Sequence, residues 1–248
     1  MSNTTFQMDL PADRLERQIP DLKPPLSEVN AITEANRCLY CYDAPCVQAC
    51  PTAINIPEFI KCIATGNVRG AAETIFDANI LGHSCARVCP VEVLGAGACV
   101  YNVKEEPPIQ IGRLQRYATD YAYNNDIQFF SKGTSTGRKI ALVGSGPASL
   151  AAAHELTKLG HHWVVFEGRV LPGGLDTTGI APYKYYAEDA LQEIAYISQI
   201  GFDVRTGVHI GEEVTFADLE HDYDAIFLGV GFRQSQHAAN SGLLATSR

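Results

Sequence analysis

The sequence predicts a two-part chain of class α + α/β. A mostly helical domain is expected over residues 1–133, a partial α/β dinucleotide-binding domain over 138–232, and a tail over 233–248. Three observations predict this division. All eight cysteines lie between Cys38 and Cys99. Residues 139–167 read as strand, glycine turn, helix, strand, the pattern of a dinucleotide-binding unit. Between these regions sits SKGTSTG at 131–137, a small polar linker.

Residues 1–30 are polar and carry Pro11, Pro20, Pro24 and Pro25, so they predict an extended arm with a short helix near Ala12–Gln18. In LSEVNAITEANRC, Ser27 is a plausible cap and the apolar spacing is helical, so a helix leads into Cys38. Pro57 fits the first position of the next helix and Gly66 its end. A further helix follows over roughly Val68–Asn79. HSCARVCPVEVLGAGACVYN reads as a loop, and residues 110–126 as another helix. In the second half, Lys139–Val143 is an apolar strand running into GSGPAS. A helix over Pro147–Leu159 is ended by Gly160, and HHWVVFE is a strand ending at Glu167. VLPGGL is a second glycine turn. Glu188–Ile200 reads as helix, FDVRTGVHI as extended, TFADLEH as a short helix and YDAIFLGVG as a buried strand. From Arg233 onward no apolar periodicity remains.

The chain is 46% hydrophobic and 19% charged, ordinary for a globular protein. Its net charge is −9 and it has no basic run, which argues against nucleic acid or an anionic membrane as partner. The N-terminus lacks the charged and apolar regions of a signal peptide, and no apolar run reaches the length of a membrane span. The expected compartment is therefore the cytoplasm, where thiols stay reduced. Eight cysteines there are better explained by metal or cluster ligation than by disulfides.

The cysteine run is CLYCYDAPCVQACP. Its spacing, C-x2-C-x4-C-x3-C followed by Pro51, is close to the bacterial iron–sulfur run. Zinc also takes C-x2-C pairs, but usually as two separated pairs. Here four cysteines come uninterrupted, and the C-x3-C-P ending recurs at Cys85–Cys89–Pro90. Soft thiolates suit iron–sulfur clusters. Cys62 sits mid-helix and reads as a small core residue. The seven histidines pair with no serine or cysteine nucleophile, so no catalytic side chain is assigned. Gly144–Ser145–Gly146 permits a tight turn and close approach of a pyrophosphate to the helix start. Ser149 stands where a third glycine is usual. Glu167, ending the next strand, can accept ribose hydroxyls. Gly173–Gly174 is either a plain turn or a source of backbone N–H groups for the cofactor.

Taken with CLYCYDAPCVQACPTAINIPEFI, the stretches GHSCARVCP, ACVYN, IQIGRLQ and ALVGSGPASL resemble a family of flavin and iron–sulfur oxidoreductase modules. The family includes the glutamate synthase small subunit and the N-terminal half of dihydropyrimidine dehydrogenase, which bacteria carry as a separate NAD-dependent subunit. The resemblance covers roughly residues 25–232. It implies a helical iron–sulfur (alpha-helical ferredoxin-like) domain followed by a Rossmann-like FAD-binding domain. Carried over by position, a first 4Fe–4S cluster takes Cys38, Cys41, Cys46 and Cys99. A second takes Cys50, Cys89, Gln115 and a cysteine at position 95, where this chain has Gly95. Either that cluster is lost or labile, or another thiol substitutes, Cys85 being the candidate. FAD binding carries over to Ser145, Gly146, Pro147, Ala148, Ser149, Glu167 and Leu175. Lys184 matches a basic position near the cofactor, although Tyr185–Tyr186 replace the family's Leu-Pro.

Gln115 after IGRL favours the dihydropyrimidine dehydrogenase branch over the glutamate synthase branch. The implied activity passes a hydride from NADH to FAD. Electrons then run through the clusters to a partner flavoprotein subunit that reduces uracil or thymine to the 5,6-dihydropyrimidine. The alternatives are a glutamate synthase small subunit and a non-catalytic, truncated partner-binding module. In the family a nicotinamide-binding domain follows YDAIFLGVG. No second strand–GxGxxG–helix unit is present, so the chain reads as truncated after Phe232. It is expected to lack the NADH half-reaction and to leave a sheet edge exposed.

Overall fold

The computed structural model describes residue 10, residues 18–201 and residues 203–231. Most of the helix expected near Ala12–Gln18, and the tail after Gly231, lie outside the described residues. The chain forms two compact units. One is Leu10–Phe129 with Ile180–Tyr196; the other is Phe130–Gly179 with the described part of Ile197–Arg248. The division near Phe129 falls a few residues before the polar linker. Residues 180–196 differ from the expected 138–232 span, because they pack with the helical unit. Among the described residues no helix is long and apolar enough to cross a membrane.

The helical unit begins with α1, Glu28–Ala35, whose N-cap Ser27 accepts from the Asn30 N–H. This is the usual way to satisfy an orphan donor at a helix start. A single turn, α2, covers Pro45–Gln48. In α3, Ile56–Ala64, Asn55 caps the start and Pro57 sits in the first turn, where its missing N–H costs nothing. Ile56, Phe59, Ile60 and Ile63 repeat at helical spacing and are all buried. The buried Ala71, Ala72, Ile75 and Phe76 of α4, Val68–Ala78, pack on α3. The segment expected as loop contains α5, Gly82–Val88. α5 lies along α6, Ile111–Asn124, which contributes Leu114, Ala118 and Ala122 to the core. Phe76, Tyr123 and Tyr196 stack within this core.

The α/β unit is built on four parallel strands. β1 is Lys139–Val143, β2 His162–Glu167, β3 Val204–Thr206 and β4 Ala225–Leu228. Their order is β3-β2-β1-β4. β1 alternates its side chains between two apolar layers: Ala141 and Val143 face one with Leu219, Leu142 faces the other with Ala153. A parallel sheet covered on both faces reads as a continuous apolar run, which is why KIALV and WVVF carry no polar alternation. α7, Pro147–Lys158, follows β1, and α10, Phe216–Asp222, precedes β4 with a Thr215–Asp218 capping box. α8, Leu175–Thr178, is a short turn after the second glycine pair. The helix near Glu188–Ile200 is α9, Ala187–Ser198. Two expectations need correction here. Among the described residues of the extended stretch at 202–210, β3 is the strand and Ile210 forms an isolated bridge with Val214. β4 is not buried: Leu228 is 52% exposed, because among the described residues β4 has a neighbour only on its β1 side.

Candidate functional site

Four of the eight thiols surround one cavity. Cys38, Cys41, Cys46 and Cys99 line it together with Leu39, Ile56, Ile60, Ile109 and Ile111. The loop from Cys38 to Cys46 supplies three of them, and Cys99 arrives immediately before a 3-10 turn over Val100–Lys104. Local backbone geometry aims the loop. Tyr40 adopts a left-handed conformation, φ 49°, and its N–H reaches the Cys38 sulfur. Its ring is held by a hydroxyl bond to the Ala35 carbonyl, 3.2 Å, and by Lys61 above the ring. Burial raises the Cys38 thiol above its ordinary value, with Cys41 and Cys99 adding to it. Burial likewise pushes Cys46 up to about 11. Thiols crowded in an apolar wall are poor thiolates alone and good ligands once iron compensates their charge. Among the described residues no three Cys, His, Asp or Glu side chains converge on a single-ion site.

Cys50, Cys85 and Cys89 form a second thiol group. Cys89 ends α5, one turn after Cys85, and its thiol is lowered to about 7 because the Cys85 S–H donates to it. Cys50 is close enough to Cys89 to oppose that lowering. Gln115 on α6 is 4% exposed; its Nε2 donates to the Gly82 carbonyl at 2.7 Å and its amide reaches Cys85. Gly95 offers no ligand. A Cβ placed there would meet the Ile56 Cδ1 at 3.3 Å and the Cys46 carbonyl oxygen at 3.5 Å. Cys62 stands apart on α3 beside Glu58, with a thiol raised by burial.

A polar network without any local sequence signature fastens residues 180–196 to α5 and α6. Glu193 Oε1 accepts from the His83 and Ser84 N–H groups, 3.1 Å each, and so caps the start of α5. Tyr185, 1% exposed, places its hydroxyl 3.1 Å from His83 Nδ1 and 3.4 Å from Glu193. His83 Nε2 lies 2.9 Å from Asp120, and Arg87 pairs with Asp189. Tyr185 is one of the two residues that replace the family's Leu-Pro, so that departure has a structural use. Tyr186 donates its hydroxyl to the Ile19 carbonyl at 2.5 Å.

In the α/β unit the two glycine turns close on each other. Gly144, φ +90°, has the Gly229 carbonyl 2.5 Å from where a Cβ would sit, so only glycine fits. The Gly173 N–H donates to the Ser145 carbonyl at 3.1 Å and hydroxyl at 3.0 Å. Gly174, φ +58°, has Gly146 Cα 2.9 Å from a would-be Cβ. Gly173–Gly174 therefore packs on the first turn and is more than a surface loop. Glu167 is 9% exposed and accepts from the Ser145 N–H and hydroxyl and the Arg169 N–H. A carboxylate offers about four acceptor sites, so one is left for a hydroxyl. α7 starts at Gly146 and Pro147 with no side-chain cap, and a Cβ at Gly146 would meet nothing within 4 Å. The uncapped start of α7 beside Gly146 suits a pyrophosphate. The turn follows the carboxyl end of β1, where the strand order reverses between β1 and β4, the usual crevice of such sheets. Ser149 packs its buried hydroxyl against Gly229. Leu175 opens α8 and is exposed. Lys184 is not brought into this unit: it lies in residues 180–196, where its charge acts on Glu92.

The comparisons with known proteins agree with this division. The family described as dihydropyrimidine dehydrogenase domain II, 4Fe-4S cluster, matches residues 15–127. An NAD(P)-binding Rossmann-like domain matches residues 142–184. The NAD-dependent dihydropyrimidine dehydrogenase subunit PreT of Salmonella typhimurium is 38% identical over 216 residues, 87% of this chain and 52% of the relative. PreT of Escherichia coli gives the same identity and coverage. The glutamate synthase [NADPH] small chain of Escherichia coli is 37% identical over 216 residues, 87% of this chain and 46% of the relative. The chain thus spans about half the length of these curated relatives. The matches give an oxidoreductase architecture, a 4Fe–4S domain followed by an NAD(P)-binding Rossmann-like domain.

Proposed function

We propose that this chain, which resembles the bacterial NAD-dependent dihydropyrimidine dehydrogenase subunit over most of its length, is an electron-transfer module of such an enzyme. It accepts electrons that enter from NADH and passes them to a partner subunit that reduces uracil or thymine. The observation that carries this reading is the apolar cavity ringed by Cys38, Cys41, Cys46 and Cys99, within a 4Fe–4S family match. These four thiols hold the first 4Fe–4S cluster, and Cys50, Cys89 and Gln115 contribute to a second. Ser145, Gly146, Pro147, Ala148 and Ser149 receive the pyrophosphate of FAD, Glu167 its ribose, and Leu175 borders the same turn. When bound, the flavin supplies the conversion between a hydride and single electrons, and the clusters supply one-electron transfer.

The protein's own part is placement and tuning. The Tyr40 and Val47 N–H groups bond the Cys38 and Cys46 sulfurs, and such bonds raise a cluster's potential by stabilising its more reduced, more negative state. Ile56, Ile60 and Ile111 give the cavity an apolar wall. Ser145 and Arg169 orient Glu167, and the uncapped start of α7 offers positive dipole to phosphate. Lys184, which the resemblance puts near the cofactor, acts within the helical unit through Glu92.

A second reading is the small subunit of glutamate synthase, favoured by the 37% identity over an equal length. The test is reconstitution with each partner in turn. Dihydropyrimidine-linked electron transfer supports the first reading and glutamate formation the second. Neither activity, in a chain that binds neither FAD nor iron, would leave a non-catalytic module.

A further inference from the structure

We propose that Cys85 supplies the fourth ligand of the second 4Fe–4S cluster, in the role that Gly95 cannot fill. The inference rests on the iron–sulfur reading of the helical unit and deepens it. Four thiols are accounted for by the first cavity, and Cys62 stands alone on α3. The three that remain, Cys50, Cys85 and Cys89, gather with Gln115 at the end of α5. Cys85 and Cys89 are one helical turn apart, and the Cys89 N–H donates to the Cys85 carbonyl at 3.1 Å. Residues so spaced carry their Cβ atoms about 5–6 Å apart on one face. That separation lets two sulfurs bind different irons of one cube after a rotation about their Cα–Cβ bonds.

Gln115 is fixed for the same task. Its Nε2 donates one hydrogen to the Gly82 carbonyl, which anchors the amide among the three thiols. Cys85 lies within hydrogen-bonding reach of this amide, so thiol and amide already share one space. Position 95, by contrast, looks toward Ile56, Ile111 and the Cys46 carbonyl, which are partners of the first cavity. Ligation changes no oxidation state: each thiol gives its proton to solvent as its sulfur bonds iron.

The test is iron and acid-labile sulfide on the full chain, reconstituted without oxygen from iron and sulfide, with electron paramagnetic resonance of the reduced sample. Wild type is expected to hold about eight irons in two 4Fe–4S clusters, and Cys85→Ala about four with one signal lost. Retention in Cys85→Ala of the other cluster's signal and of the wild-type circular dichroism separates lost ligation from poor folding. Retention of about eight irons by Cys85→Ala overturns the inference while leaving the cluster reading intact. So does a wild type with about four irons that Cys85→Ala does not change. A wild type that binds no iron and sulfide overturns the iron–sulfur reading itself.

Discussion

Single residues here hold conformations and charges that the functional turns require. Ala53, three residues after Cys50, has φ 52° and is exposed. A left-handed non-glycine residue costs about 1–2 kcal/mol. Ala53→Gly is therefore expected to raise stability by about 0.5–1 kcal/mol, less than the full strain because glycine loses more freedom on folding. Urea titration at neutral pH measures it. Asp176, beside the second glycine pair, is pushed up by burial to about 6. Its native pKa lies above its unfolded one, so the native state prefers the protonated form. Its penalty is absent below about pH 4 and grows as pH rises through the native value. Asp176→Asn should stabilise the chain by roughly 1–3 kcal/mol at pH 7.5 and progressively less toward pH 4.5. Equal gain at both would show that the substituted carboxyl was not responsible. The close spacing of Cys38, Cys41 and Cys46 made them legible as candidates, whereas Cys99, far along the chain, was implied only by the resemblance; the four line one cavity. The sequence did not reveal Tyr40 or Ala53, since left-handed backbone at non-glycine positions has no reliable residue signature.

Elements show where local reading succeeds and fails. α1, α3, α6, α7 and β1 were legible because caps, prolines and apolar periods agree there. α5 was not, because GHSCARV opens on glycine and has no side-chain cap. Its start is satisfied by Glu193, 110 residues further on, a partner no window can see. Glu193→Ala should destabilise the helical unit by about 2–4 kcal/mol, since it strips two backbone donors of a charged acceptor. Thermal unfolding followed by circular dichroism reads this, and a loss under about 0.5 kcal/mol would deny the cap. β4 and α7 give a second case. A Cβ at Gly229 would lie 2.0 Å from the Ser149 hydroxyl. Gly229→Ala should destabilise the α/β unit, and Ser149→Gly in the same chain should recover part of the loss. Additive losses would contradict the direct packing of the two.

At the scale of the whole molecule, composition separated a helical class from an α/β class. The cysteine-bearing half is helical and the glycine-turn half is a parallel sheet, as the confinement of all eight cysteines suggested. Residues 180–196 moved to the helical unit because Tyr185, Asp189 and Glu193 are paired there with Arg87 and His83. Such pairings join residues about a hundred positions apart and leave no periodic trace. The dinucleotide turn was legible for the opposite reason: strand, Gly144, Gly146, helix and Glu167 are contiguous. The central claim is that the four-cysteine cavity holds an iron–sulfur cluster and not a zinc ion. It is tested most directly by measuring iron, zinc and acid-labile sulfide in the full chain purified without oxygen, beside Cys99→Ser. The account predicts iron with matching sulfide and little zinc, and a loss of about four irons in Cys99→Ser. Zinc without sulfide, lost in the same variant, would contradict it.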